Sequence, residues 1–172
     1  MPADEAARAA ERGDGTLLHL AFKWNVDSGA HVTTRYEWFP GLDAEGIAAR
    51  LRSLYDDDGE SLRIACDTLT LASARAGSGA LQYLEVREPG TGRRSFDLNL
   101  YDAGLQVRDL QPLLLRMRDL HGIRPGQFQA LYDQVKARAL GHLAGGHHRD
   151  GRDFFNVYYG VTGFPQFAGR LG

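Results

Sequence analysis

The chain contains little that would announce a chemistry. It has one cysteine, Cys66, so it closes no internal disulfide, which fits a reducing compartment and a cytoplasmic location. Lys and Arg number 20 against 22 Asp and Glu, giving a net charge of -2, and no basic stripe runs along the sequence. Phosphate binding by nucleic-acid proteins needs a clustered positive excess, so no nucleic-acid partner is expected. Apolar runs stay as short as Leu113-Leu114-Leu115, and Met1-Pro2-Ala3-Asp4-Glu5 has no basic stretch leading into an apolar one. Neither a membrane span nor a secretory leader is expected. Gly145-Gly146 precedes a strand rather than a helix N-terminus, so it is no phosphate-binding loop.

What is present is alternation. At 172 residues and 43% hydrophobic, the chain suits one domain with one core, taken as residues 16–163 after a leader helix or disordered leader (1–15) and before a tail (164–172). Leu18, Leu20, Phe22, Trp24 and Val26 alternate with polar residues as in a half-buried strand. A second strand follows through Val32, Thr34, Tyr36 and Trp38, ending at Pro40-Gly41. Asp43 caps a helix carrying Ile47, Leu51, Leu54 and Tyr55, while residues 61–75 read as one long strand or two shorter ones. A hairpin turns across Pro89 to Gly92. Helices start at Asp109 and Pro125, and a glycine- and histidine-rich connection over 141–151 leads to a last strand. The pattern predicts an α+β fold: an antiparallel sheet with helices on one face.

Two segments, Arg94 to Tyr101 and Asp153 to Tyr159, each set Asn-x-Tyr on one face of an alternating run. Read strand by strand, the polar face gathers His19, Lys23, Thr33, Arg35, Glu37, Asp97, Asn99, Tyr101, Asn156 and Tyr158, opposite an apolar face of Leu18, Leu20, Phe22, Trp24, Leu98, Leu100, Phe155 and Val157. Such a face is either solvated or a binding surface, and alternation alone fits both. His142, His147, His148, Asp150 and Asp153 match no metal-module spacing and read as a surface loop, so no metal site is expected there. A hydrolase built on that loop ranks third among the readings. Cys66, between Ala65 and Asp67, reads as a small buried hydrophobe rather than a nucleophile.

The stretches His31 to Trp38 before the helix at Asp43, Leu81 to Tyr101 before the helix at Asp109, and Asp150 to Tyr159 resemble the αββα-barrel aromatic prenyltransferases, especially the group that modifies ribosomal peptides. The resemblance implies a partial αββα barrel, or one closed by a homodimer, with helices outside and the polar face within. It implies Lys23 and Arg35 as diphosphate binders, Tyr101 and Tyr158 as shields of the allylic cation, and Glu37 as proton acceptor. His19, Asn99 and Asn156 would line the substrate space. No cofactor is required, with magnesium an optional companion of the allylic diphosphate, and the partner is a small-molecule or peptide acceptor. The chain departs from the family in carrying Asn-x-Tyr where Lys-x-Tyr is frequent, and in having too few repeats for one copy to close the barrel. The alternative is a non-catalytic binding or partner protein that uses the same face for a small molecule or peptide.

Overall fold

A computed structural model describes residues 15–55, 57–76 and 81–160. Apart from Gly15, the expected leader lies outside them, as does the tail. In chain order the elements are β1 (Thr16–Trp24), β2 (His31–Trp38), α1 (Ala44–Leu54), α2 (Glu60–Ala76), β3 (Gln82–Arg87), β4 (Arg94–Asn99), α3 (Gln111–Leu120), α4 (Pro125–Val135), β5 (Leu140–His147) and β6 (Asp153–Tyr159). The six strands of the described residues form one antiparallel sheet in sequential order, β1 to β6, with no pairing between β1 and β6. The helix pairs enter after β2 and after β4. The β1–β2, β3–β4 and β5–β6 turns therefore share one end of the sheet, and the helical connections share the other.

Directly opposed residues on neighbouring strands point to the same side, so the register assigns every side chain to a face. Tyr83↔Leu98↔Leu143↔Val157 and Glu85↔Phe96↔Gly145↔Phe155 lie on the helix side. There Tyr83, Phe96, Leu98 and Leu143 are buried in one cluster with Ile47, Leu51, Ile64 and Leu69 from α1 and α2, and Leu113 and Met117 from α3. The α+β class, the antiparallel sheet and the helices packed on one face follow from this arrangement. No described helix is long and apolar enough to cross a membrane.

Three local expectations are corrected. Residues 61–75 form helix α2, whose buried side is Ser61, Leu62, Ile64, Ala65, Thr68, Leu69 and Ala72. Half of that stripe is small, so counting large apolar residues hides its helical spacing. Residues 140–147 are the strand β5, where glycines replace side chains because neighbours fill the space. A Cβ at Gly145 would meet Phe155 Cδ1 at 2.8 Å and Phe96 Cε1 at 3.0 Å. Leu98 and Leu100 are buried, but Leu18, Leu20, Phe22, Trp24 and Val26 are exposed, because none of the described helices reaches over β1.

A test separates helix from strand over 60–76. Ala72 is buried and Ala74 exposed, whereas a strand would set both on one side. Ala72→Leu should cost about 1–3 kcal/mol by overpacking, and Ala74→Leu should be close to neutral in urea denaturation. Equal costs for the two would contradict the helix.

Candidate functional site

The helix-free side of the sheet carries His19, Ala21 and Lys23 from β1, Val32, Thr34, Tyr36 and Trp38 from β2, Leu84 and Val86 from β3, Asp97 and Asn99 from β4, His142 and Ala144 from β5, and Asn156 and Tyr158 from β6. This side is not evenly wet. Thr34, Val86, Ser95 and Ala144 are buried although no described helix covers them, while Tyr36 and Trp38 are half-buried.

Two groups stand out on it. The first centres on His142, whose Nδ1 lies 2.6 Å from Asp97 Oδ1. A carboxylate on Nδ1 fixes the ring and its tautomer, leaving Nε2 as the basic nitrogen. The rings of Tyr101 and Tyr158 stand edge-on to the imidazole at 5.1 and 6.0 Å. Asn99 and Tyr158 are the cross-strand partners of His142, and Asn156 pairs with the adjacent Ala144. Tyr101 reaches the group from a 3-10 turn (Tyr101–Ala103) just past β4, over Gly141, where a Cβ would come within 2.8 Å of the tyrosine hydroxyl.

The second group lies at the hairpin end. The Glu88 side chain is fully buried and accepts from Lys23 Nζ at 2.9 Å, Thr34 Oγ1 at 2.8 Å, Arg93 Nη1 at 2.9 Å and Arg149 Nε at 2.6 Å. Burial pushes its carboxyl pKa upward, but the hydrogen bonds from Arg149, Lys23 and Thr34 and the charge of Arg93 outweigh it and hold the group far below the usual carboxylate range. Lys23, Arg93, Arg149, Arg152, His148 and Asp150 line a hollow of about 350 Å³ there. Three cations on one carboxylate leave a positive surplus facing that space.

The sequence reading placed Thr33, Arg35 and Glu37 with these residues, and that placement is corrected, with Thr33 opposite Phe22 on the helix side. Arg35 opposes Arg87 and Glu37 opposes Glu85, so both lie on the helix side, where Arg35 Nη2 donates to Glu37 Oε1 at 3.1 Å. Arg87 and Arg50 each donate to the buried Glu85 at 2.6 Å. Burial raises the Glu85 pKa, yet these hydrogen bonds win and its carboxyl stays below the ordinary value. Of the predicted residues, Asn99, Tyr101, Asn156 and Tyr158 come together around His142. Lys23 belongs to the Glu88 group, and His19 stacks on Tyr36 at 4.0 Å on the same face.

The expected histidine loop is divided. His142 faces the helix-free side, whereas His147 faces the helices and sits 2.7 Å from Asp153. His148 packs on Phe154, and Asp150 is paired with Arg152. Among the described residues no group of three or more His, Cys, Asp or Glu is placed to hold a metal ion. Cys66 is in α2, its thiol pKa pushed up by burial, which disfavours the nucleophilic thiolate. Asp97 was read on this face, whereas His142, Glu88, Arg93 and Arg149 were missing from the predicted site. The one available signal was alternation through 140–147, masked by its three glycines. No family model, curated protein or solved structure matches the chain.

Two measurements test this geometry. Because the folded Glu88 pKa lies below its unfolded value of about 4.3, its stabilisation is complete above that pH and is lost as pH falls below it. Glu88→Gln should lower the unfolding free energy near neutrality by roughly 3–5 kcal/mol and flatten the acid limb of stability against pH; an unchanged acid limb would refute the assignment. Gly141→Ala should displace the Tyr101 ring, seen as shifted His142 ring resonances, with little effect if Tyr101 lies elsewhere.

Proposed function

We propose that this protein is a prenyl-transfer module of the αββα type, with the helix-free sheet face as the wall of its reaction chamber. The carrying observation is that a basic hollow and an aromatic-flanked His–Asp pair share this face. Arg93, at the end of the β3–β4 turn, and Asp97 in β4 are four residues apart, roughly 13 Å in extended chain, which accommodates a diphosphate and an aromatic ring in series.

In this reading Lys23, Arg93 and Arg149 receive the diphosphate of an allylic donor, because all three line the hollow while Glu88 fixes them. The carbon–oxygen bond to the donor breaks, and its electron pair leaves on the diphosphate. Tyr101 and Tyr158 present rings to the allylic cation. A ring carbon of the aromatic acceptor forms the new bond, and the arene proton passes to His142 Nε2. Arg35 and Glu37, on the opposite side, take no part. Glu88 has both oxygens occupied by donors, and Asp97 and Asp150 are paired with His142 and Arg152. This donor set does not fit magnesium, and basic side chains carry the diphosphate charge instead.

The test is incubation with dimethylallyl, geranyl or farnesyl diphosphate and tryptophan- or tyrosine-containing acceptors, with and without magnesium, followed by mass spectrometry. Lys23→Ala should weaken donor binding about 10- to 100-fold, as expected for a charge-assisted hydrogen bond worth about 1.5–3 kcal/mol. His142→Gln and Asp97→Asn should slow turnover with donor affinity retained, whereas Glu37→Gln should leave both unchanged. Binding of an acceptor without any prenylated product would replace this reading with that of a recognition module using the same face.

A further inference from the structure

The two edges of the sheet are unlike and complementary. On β1, Leu20, Phe22 and Trp24 share the helix side, since Leu20 opposes Arg35 and Phe22 opposes Thr33, yet no described helix covers them. Phe22 is 72% exposed and Trp24 77%. At β6 the situation is reversed. The helix side there is an apolar groove of about 540 Å³ walled by α3 and α4, with Met117, Ile123, Phe128, Leu131, Val135 and Phe155 in its lining. The outer backbone groups of β6 have no strand partner among the described residues. One edge offers apolar side chains without a cover, and the other a cover without side chains to fill it.

We infer that β1 of a second copy of this chain occupies the β6 groove, and that the two copies close on one another as a single barrel. Strand parity carries the argument beyond apolar matching. With six strands in antiparallel succession, β6 runs opposite to β1. A two-fold axis along the barrel preserves strand direction, so the β1 of the other copy meets β6 antiparallel and the same contact repeats at the second seam. An odd strand number would force parallel pairing there. A register that sets Phe22 beside Phe155 and Leu20 beside Val157 directs Leu20, Phe22 and Trp24 toward α4, continuing the sheet as strand addition does. Large aromatic side chains bury roughly 150–250 Å² each. With the groove walls and the symmetric second seam, the contact exceeds the roughly 1,000 Å² that specific association requires.

Barrels of about eight strands are filled by their own side chains, and larger ones enclose a cavity. Twice six strands enclose one, lined by the helix-free faces, with His19 of one copy against Tyr158 of the other. The candidate site is therefore incomplete in one copy. The inference rests on the prenyl-transfer reading only for the use made of that interior.

Light scattering on the intact chain tests it. The expected mass is twice 19.0 kDa across the micromolar range. Phe22→Glu and Leu131→Glu alter residues 72% and 56% exposed, so each should fold, as checked by circular dichroism, and each should be monomeric. A wild-type monomer overturns the inference. So does dissociation by Phe22→Glu alone, which would mean β1–β1 pairing, or by Leu131→Glu alone, which would mean groove-to-groove pairing. The mass is independent of activity: a dimer without prenylated product sinks the functional reading and leaves the assembly standing, and an active monomer does the reverse.

Discussion

The buried Glu88 carboxylate holds the hairpin end of this fold together. Its four donors come from β1, β2, the β3–β4 turn and the β5–β6 turn, segments that no helix joins at that end of the sheet. A lone buried carboxylate would be costly, and so would the cations around it without a counter-charge. Together they fix the spacing of three hairpins and leave a net positive rim. The same interaction therefore stabilises the fold and supplies the hollow's charge, which explains how a chain of net charge -2 presents a cationic site.

The helix side solves a related problem differently. Arg35, Arg87 and Arg94 are cross-strand neighbours in one row, and like charges directly opposed repel. The next row, Glu37 opposite Glu85, answers it: each glutamate accepts from the arginine two positions away on its own strand, and Glu85 also holds Arg50 of α1. Arg50 in turn lies 3.7 Å over the Phe39 ring, tying α1 to the end of β2. The grid docks the first helix pair, and this is why Arg35 and Glu37 belong to the scaffold rather than to the helix-free face.

Much of the fold was legible because most elements announce themselves by period and punctuation. Asp43 does cap α1, accepting from the Gly46 amide at 2.8 Å, and Gly122 does follow α3 in the left-handed conformation at φ +62°. What was illegible had a common cause. In α2 the buried stripe uses Ala65, Thr68 and Ala72, and in β5 it uses glycine, so the signal from large apolar residues fades where packing is closest. The site suffered accordingly: Asn99, Tyr101, Asn156 and Tyr158 could be found by alternation, but the histidine at their centre lay in a stretch that did not read as a strand.

The reversal on β2 has a physical reading of its own. Its apolar residues, Val32, Tyr36 and Trp38, point away from the helices, and its charged ones point toward them. Periodicity finds two faces but cannot say which is covered, and the rule that apolar residues face the helices fails when the other side is itself sheltered. Burial of Thr34, Val86 and Ala144 on that side shows that it is sheltered although no described helix lies over it. A sheet with aromatic, imidazole and amide groups on its helix-free side, charged residues facing its helices, and two edges without a strand partner among the described residues is what the proposed barrel wall requires. In the proposed assembly the apolar side chains of β1 are covered by the next stretch of barrel rather than by the described helices of their own chain.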